Sequence, residues 1–268
     1  MMLWAIYKQT LRSRRMSWII YSAIGFGLLL MYIPIFPAIQ AQQATYDQLL
    51  NSMPKALLEA FNIGKSAPTL MGYMVAKHFG FVWDLMIILL MIAYSGGAIA
   101  KEIDARTMGL LLSLPVSRLR LYLVRLAAGI SGLAIFVIVS ELATWPLAKA
   151  FGYITSLHDI VRVGLLGFAF GLAILCLSLM VSAAVSEGGK VYAVMGGFLL
   201  VMYVLNIVAS LQDKAADLKY ASLFYYFAPG TVIDGGHLDP KALLVYAGIS
   251  VAAAIIGALI FVRRDASV

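Results

Sequence analysis

Long and nearly uninterrupted runs of apolar residues dominate the chain, and short polar segments separate them. Six runs reach the roughly 20 residues that a helix needs to cross a bilayer. They cover residues 17–36, 81–100, 126–145, 164–185, 191–209 and 242–262. Backbone polar groups in lipid must be paired within the structure, and these runs lack the alternation of barrel strands. The pattern therefore predicts an all-α, polytopic membrane protein with six transmembrane helices in a single transmembrane domain, residues 1–268.

The composition agrees with lipid as the solvent of this chain. Apolar residues make up 62% of the 268 positions and charged residues 12%, against about 45–50% and about 25% in soluble domains. The single cysteine, Cys176, excludes a disulfide or a cysteine metal site within the chain. The net charge of +7 is typical of cytoplasmic flanks and anionic lipid contact in a membrane protein, so no nucleic-acid partner is expected.

The basic residues between the runs predict the orientation, because cytoplasmic segments are enriched in lysine and arginine. One set of segments holds the N-terminus, 101–125, 186–190 and the C-terminus, and it carries 12 of the 20 basic residues over a short length. The longer segments on the other side carry the remaining 8. Both termini and the loop 101–125 are therefore predicted to be cytoplasmic.

Residues 1–16 are predicted to form a helix in the headgroup layer of the lipid bilayer, because one face is apolar and the other basic. The apolar face holds Leu3, Trp4, Tyr7 and Leu11, and the basic face holds Lys8, Arg12 and Arg15. The run that follows is too long for the apolar core of a cleaved signal peptide, so it is interpreted as a retained span.

The outer segments 37–80 and 210–241 are predicted to cap the opposite side with short structures. Apolar residues recur at helical spacing from Tyr46 to Phe61, but Pro54 interrupts them, so one helix and two shorter ones are both compatible. Turns are predicted at Pro229-Gly230 and at 234–236.

Small residues at a spacing of four recur within the spans. Gly167 and Gly171 form one such pair, and Gly248 and Ala252 form another. This spacing lets helices approach closely and indicates a tightly packed bundle.

Two short motifs resemble part of a phosphate-binding loop, but neither matches its full pattern. Gly64-Lys65-Ser66 has Glu59 where the motif needs its first glycine, and the segment ending in Lys190 is followed by Val191 instead of Ser or Thr. The chain is therefore not expected to bind or hydrolyse ATP, and it is not predicted to be an enzyme.

An intramembrane serine protease is a further possibility, since Gly129-Ile130-Ser131-Gly132 matches the GxSG of that class. A serine nucleophile needs a base within hydrogen-bond reach. The three histidines lie outside the spans on the predicted outer side, whereas Ser131 lies near the inner end of its span. Ordinary helix packing is therefore the favoured interpretation.

Two carboxylates, Asp84 and Glu141, fall near the outer ends of the second and third spans. An ionisable group within the membrane is costly and marks a candidate pathway for substrate. Simpler roles stay open for both: Asp84 could be hydrated or paired with Lys77 or Lys149, and Glu141 could be neutral and packed within the bundle.

The loop 101–125 carries the most specific signal. Thr107 is predicted to cap a short helix that Pro115 ends, with Met108, Leu111 and Leu112 on one apolar face. A surface helix too short to span the membrane lies on lipid or docks into a groove of a soluble partner.

This loop resembles the permease subunits of the ABC-2 family of ABC transporters. The matching positions are Glu102, Thr107, Leu111, Leu112, Ser113, Leu114, Pro115, Val116, Ser117, Arg118 and Arg125. Six spans, the N-terminal interfacial helix and the short basic C-terminus fit the same architecture, a type V exporter-like transmembrane domain. One departure is Arg106, because the family often has glycine before the threonine.

The resemblance implies that two permease subunits, identical or sister chains, form the pathway above two separate ATP-binding cassette ATPase subunits. ATP and Mg bind to those ATPases, and no cofactor binds to this chain. Residues 103–116 would be the coupling helix that fits a groove of the ATPase, with Glu102, Thr107, Met108, Leu111, Leu112, Pro115 and Arg118 as the coupling residues.

The resulting hypothesis is the permease of a bacterial exporter of lipid, peptide or drug-like molecules in the cell membrane. A proton- or ion-coupled secondary transporter that uses Asp84 and Glu141 is the alternative, and a membrane scaffold or sensor without transport is a third. The first requires ATP and the second does not, which separates them.

Overall fold

Six long apolar helices form the body of the computed structural model, counted over the residues that it describes: 2–42, 48, 51–54, 69–109, 115–211 and 213–264. These spans are Arg15–Ala41, Val82–Asp104, Arg118–Ala150, Leu157–Ala184, Gly188–Leu211 and Pro240–Arg263, numbered span 1 to span 6. No β-strand occurs in the described ranges. The prediction of an all-helical protein with six membrane-spanning helices is confirmed.

The spans extend beyond the apolar runs because polar residues cap them. The hydroxyls of Ser117 and Ser156 accept hydrogen bonds from the backbone N–H groups of Arg120 and Asp159. These caps start spans 3 and 4 several residues before the apolar run of each span begins. Span 2 likewise continues to Asp104. The loop predicted over 101–125 is therefore reduced to the residues between Asp104 and Arg118.

Both chain ends lie at the same end of the bundle, called the terminal face below. The Arg14 guanidinium donates to the Gly97 carbonyl at 2.6 Å, and the Arg264 guanidinium donates to the Val185 carbonyl at 2.8 Å. These bonds place the N-terminal helix and the C-terminus beside the end of span 2 and the turn between spans 4 and 5. The described residues between spans 2 and 3, 105–109 and 115–117, lie on this face too, and we call residues 105–117 the connecting segment.

Short helices lie on the opposite face. They are Leu70–Met74, a π-helical turn at Val75–Phe79, a 3-10 helix at Asp213–Ala221, Leu223–Tyr226 and Pro229–Gly235. Pro229, predicted as a turn residue, instead begins a helix, because a proline in the first turn loses no helical hydrogen bond. The helices proposed around Pro54 fall largely on residues 43–47 and 55–68, which lie outside the described residues.

The N-terminal helix, Met2–Ser13, has a third face that the two-face pattern did not show. Ile6 and Thr10, one turn apart, are buried against the bundle, whereas Trp4 stays 59% exposed. The helix is therefore held by span 3, through Tyr7 and Thr10, as well as presenting an apolar face outward. Its predicted place in the headgroup layer stays a prediction.

Spans 2 and 4 form the centre of the bundle, and spans 1, 5 and 6 surround it with their apolar outer faces exposed. Gly167 of span 4 allows the close approach of span 2, since a Cβ there would lie 2.1 Å from the Trp83 ring. Gly171 fits against Ile87 and Leu133 in the same way. Gly248, by contrast, has no heavy atom within 4 Å of an added Cβ, so its predicted close packing is not used within the described chain.

Candidate functional site

A buried ion pair joins span 2 to span 3 on the terminal face, on the two sides of the connecting segment. Glu102 lies on the last turn of span 2, and Arg125 lies two turns into span 3. Arg125 Nη2 donates to Glu102 Oε1 at 2.5 Å. The side chains are only 9% (Arg125) and 23% (Glu102) exposed, so water screens their attraction weakly. This pair fixes where the segment leaves span 2 relative to where it enters span 3.

The same arginine holds the N-terminal helix in place. Arg125 Nη1 donates to Thr10 Oγ1 at 2.8 Å, and the Thr10 hydroxyl donates to the Ile6 carbonyl one turn earlier. The Tyr94 hydroxyl in turn donates to the Arg125 carbonyl at 2.5 Å. A single guanidinium thus connects the N-terminal helix, span 2 and span 3, and we call Thr10, Glu102 and Arg125 the terminal-face triad.

Thr107 closes the end of span 2. Its backbone N–H and its hydroxyl both donate to the Glu102 carbonyl, at 3.0 and 3.1 Å, which satisfies a carbonyl at a helix C-terminus. The preceding Arg106 has a φ of 56°, the left-handed conformation that glycine adopts at lower cost. A glycine would therefore fit the backbone here better than Arg106 does.

The predicted coupling residues differ in how exposed they are. Met108 is buried, whereas Thr107 and Pro115 are exposed. The helix predicted after Thr107 is described only at Met108 and Gly109, which are helical, and Leu111 and Leu112 fall on residues 110–114, outside the described residues. Their docking role stays a prediction.

A second set of contacts ties the other end of the segment to the C-terminus. The Arg118 guanidinium donates to the backbone carbonyl of Arg264. The Arg264 guanidinium donates to the carbonyls of Ala183 and Val185, both at 2.8 Å, and to Ser186 Oγ at 2.5 Å. A displacement of Arg118 would therefore reach span 6 and the turn between spans 4 and 5.

Ser131 packs as a helix residue and not as a nucleophile. Its hydroxyl is 2.7 Å from the Tyr7 hydroxyl and 3.0 Å from the Ala127 carbonyl, to which it donates. The buried histidine, His78, lies toward the opposite face, where its ring contacts Tyr32. The geometry gives no support to a serine–histidine pair.

His78 is a buried histidine that the sequence did not single out. It lies in the π-helical turn Val75–Phe79, and neither ring nitrogen has a hydrogen-bond partner among the described residues. Burial lowers the pKa of His78 to about 4, against a smaller opposing effect of the Ser140 backbone. The imidazole is therefore neutral at physiological pH.

Glu141 is packed inside the bundle. It lies in a π-helical turn, Ile138–Leu142, shortly before Pro146. That proline cannot donate to the Leu142 carbonyl and its ring crowds it, which accounts for the irregular turn. The Glu141 carboxyl is fully buried, both its oxygens lack a partner in the described part of the chain, and a Cβ at Gly164 would lie 2.7 Å from one of them.

Asp84 lines a groove between spans 1, 2 and 5. The groove has a volume of about 530 Å³ and an almost entirely apolar lining. The carboxylate is 6% exposed and accepts a hydrogen bond from the Leu85 N–H at 2.8 Å. No ion pair to Lys77 or Lys149 occurs among the described residues, and the Lys149 ammonium lies over the Trp145 ring instead. The two carboxylates therefore differ: Asp84 borders a groove and Glu141 is enclosed.

The described residues hold no cluster of three or more histidine, cysteine or acidic side chains that could bind a metal ion. A family model described as ABC-2 family transporter protein matches residues 4–266. No curated protein sequence matches the chain.

Proposed function

Since the chain belongs to the ABC-2 family of transporter proteins, we propose that it is the membrane permease subunit of an ATP-binding cassette exporter. It carries no ATPase site of its own in this proposal. Two separate ATPase subunits bind ATP and Mg beneath it, on the cytoplasmic side of a bacterial cell membrane. The transported molecule is a lipid, a peptide or a drug-like compound.

The observation that carries the proposal is the set of contacts on the two sides of the connecting segment of the terminal face. At one end, the terminal-face triad joins this segment to the N-terminal helix and to spans 2 and 3. At the other end, Arg118 and Arg264 join it to span 6 and to the turn between spans 4 and 5. A partner that moves this segment therefore acts on five spans.

Rigid connections of this kind are what energy coupling requires. Two sites are coupled only when one element has two arrangements and both sites bias the choice between them. A charge-assisted bond resists stretching more than a neutral one, so a docked ATPase can pull or push span 2 and span 3 together. Residues 103–116 would hold the docking element, with its apolar face in the ATPase groove.

A second permease subunit completes the pathway in this proposal. In the most apolar stretch of spans 1, 5 and 6, only 28%, 17% and 22% of the residues are buried inside the chain. Lipid covers part of that exposed surface, and an apolar face of this extent also accommodates a partner span. The partner is either a second copy or a sister chain.

Co-purification with the ATP-binding cassette ATPase that this proposal requires tests the proposal. We expect wild type to retain the ATPase in detergent, and the double variant Leu111→Asp, Leu112→Asp to retain at least about tenfold less, since carboxylates cannot be desolvated in an apolar groove without large cost.

Leu218→Asp is the matched control, because Leu218 is 47% exposed on the opposite face and should not affect the ATPase. Equal retention by the double variant and wild type would reject the docking site. An ion-coupled secondary transporter would be favoured instead if the permease alone transported substrate without ATP and if neutralising Asp84 abolished that transport.

A further inference from the structure

The groove between spans 1, 2 and 5 combines an apolar length with one acidic group. Its lining includes Leu85, Ile88 and Leu89 of span 2 and Leu199 and Leu200 of span 5. Asp84 is the one charged residue among the residues that line it. A volume of about 530 Å³ lies within the range of small-molecule sites. The groove therefore fits an apolar molecule that carries a single charge.

Aromatic rings surround the acidic end of the groove. Phe81 precedes span 2, Tyr203 lies on span 5, and Phe224 lies on the short helix Leu223–Tyr226. The Tyr203 ring centroid is 6.5 Å from that of Phe81 and 5.3 Å from that of Phe224. Asp84 and all three rings line the same groove. A carboxylate beside several aromatic faces is the arrangement that binds organic cations, because each ring face attracts positive charge.

We propose that this groove binds a lipophilic organic cation, with its positive centre between Asp84 and the rings of Phe81, Tyr203 and Phe224 and its apolar part along spans 2 and 5. The proposal rests on the proposed transport function and names the substrate class. From Asp84 to Ile92 the helix rises about 12 Å, which sets the length of the apolar part.

Charge complementarity argues for a cation over the other occupants of an apolar groove. An intramembrane carboxylate is costly without a partner, and no basic residue forms an ion pair with Asp84 in the described part of the chain. An anionic lipid would be repelled by the same group. A bound cation both neutralises Asp84 and fills the apolar surface.

Binding to the permease alone, in nanodiscs of zwitterionic lipid, tests the charge requirement. The probe is radiolabelled tetraphenylphosphonium, with tetraphenylborate as an anion of matched size. We expect saturable binding of the cation to wild type, and binding at least about tenfold weaker to Asp84→Asn. Asp217→Asn, which removes an exposed carboxylate elsewhere on the opposite face, should bind as wild type does.

A pair of adjacent glycines on span 5 tests the location. Gly196 lines the groove and Gly197 does not, and neither has a heavy atom within 4 Å of an added Cβ. Gly196→Leu therefore starts from an open Cβ position, extends into the groove and should abolish saturable binding. Gly197→Leu makes the same chemical change on the neighbouring face and should leave it intact.

Three results would overturn the proposal: no saturable site in wild type, equal affinity in Asp84→Asn, or binding preserved in Gly196→Leu. Quantitative disulfide cross-linking of Leu89→Cys between two copies, with no cation binding, would assign the groove to a second copy of the chain instead. The ATPase is absent from these measurements. Their failure beside intact co-purification would therefore reject the substrate class and leave the permease assignment standing.

Discussion

Replacing Glu102 by glutamine isolates the contribution of charge in the terminal-face triad. At the 2.5 Å separation from Arg125 and an effective dielectric constant of about 20, the attraction is about 7 kcal/mol, but desolvation of both groups offsets most of it. Glutamine keeps an oxygen that accepts from the Arg125 guanidinium, so the bond keeps its charged donor and loses only the charge of its acceptor. We therefore expect a loss of about 1–2 kcal/mol in the free energy of unfolding.

The pair of Glu187 and Lys190 is the matched control, since it has the same separation of 2.5 Å with both side chains more than half exposed. Exposed pairs of this kind contribute only about 0.3–0.5 kcal/mol. Unfolding in mixed micelles containing dodecyl sulfate, followed by tryptophan fluorescence, gives the free energies for a double-mutant cycle of Glu102→Gln with Arg125→Gln. A coupling energy no larger than that of the exposed pair would refute the argument that burial makes this contact rigid.

Three further substitutions test the backbone, the packing and the buried histidine, each by thermal unfolding in detergent. Arg106→Gly should stabilise the protein by about 1 kcal/mol, because the left-handed φ of 56° costs any side chain with a Cβ. Gly167→Ala should destabilise it by about 1–3 kcal/mol through overpacking against the Trp83 ring, while Gly248→Ala, with open space around it, should not. Because burial lowers the pKa of His78 from 6.5 to about 4, the unfolded chain takes up a proton first, and stability should fall by up to about 3 kcal/mol as the pH drops from 6.5 to 4. His78→Gln should reduce this loss and exposed His158→Gln should not.

Each of these results has a contrary outcome. A lower melting temperature for Arg106→Gly would show that the arginine side chain contributes more than its backbone conformation costs. Equal effects at Gly167 and Gly248 would show that spans 2 and 4 are not in close contact. An unchanged acid profile in the His78 variant would show that the imidazole is hydrated in the folded protein.

The six spans were predictable because lipid imposes a minimum apolar length, which the chain meets six times. Their ends were not predictable from apolarity, since Ser117 and Ser156 continue helices into polar sequence. The caps also shorten the connecting segment relative to the predicted loop 101–125. The third face of the N-terminal helix was missed because Thr10 is buried through a hydrogen bond to Arg125 and not through apolarity.

The site was predictable in part. The motif of the loop identified Glu102 and Arg125, but their contact depends on how spans 2 and 3 pack, which no local pattern contains. The sequence identified Arg264 only as one of the basic residues that predict the orientation. In the structure it donates to carbonyls beside the turn between spans 4 and 5. Asp84 and Glu141 looked alike in sequence, and only their surroundings in the structure separate a groove from a packed interior.

Nucleotide hydrolysis by the reconstituted complex tests most directly whether a separate ATPase drives this chain through residues 101–125. The partner ATPase is measured alone, with wild-type permease in lipid, and with the Leu111→Asp, Leu112→Asp variant. Wild type is predicted to change the hydrolysis rate in response to transported substrate, and the variant is predicted to leave the rate of the free ATPase. The same substrate response with the variant as with wild type would contradict the account.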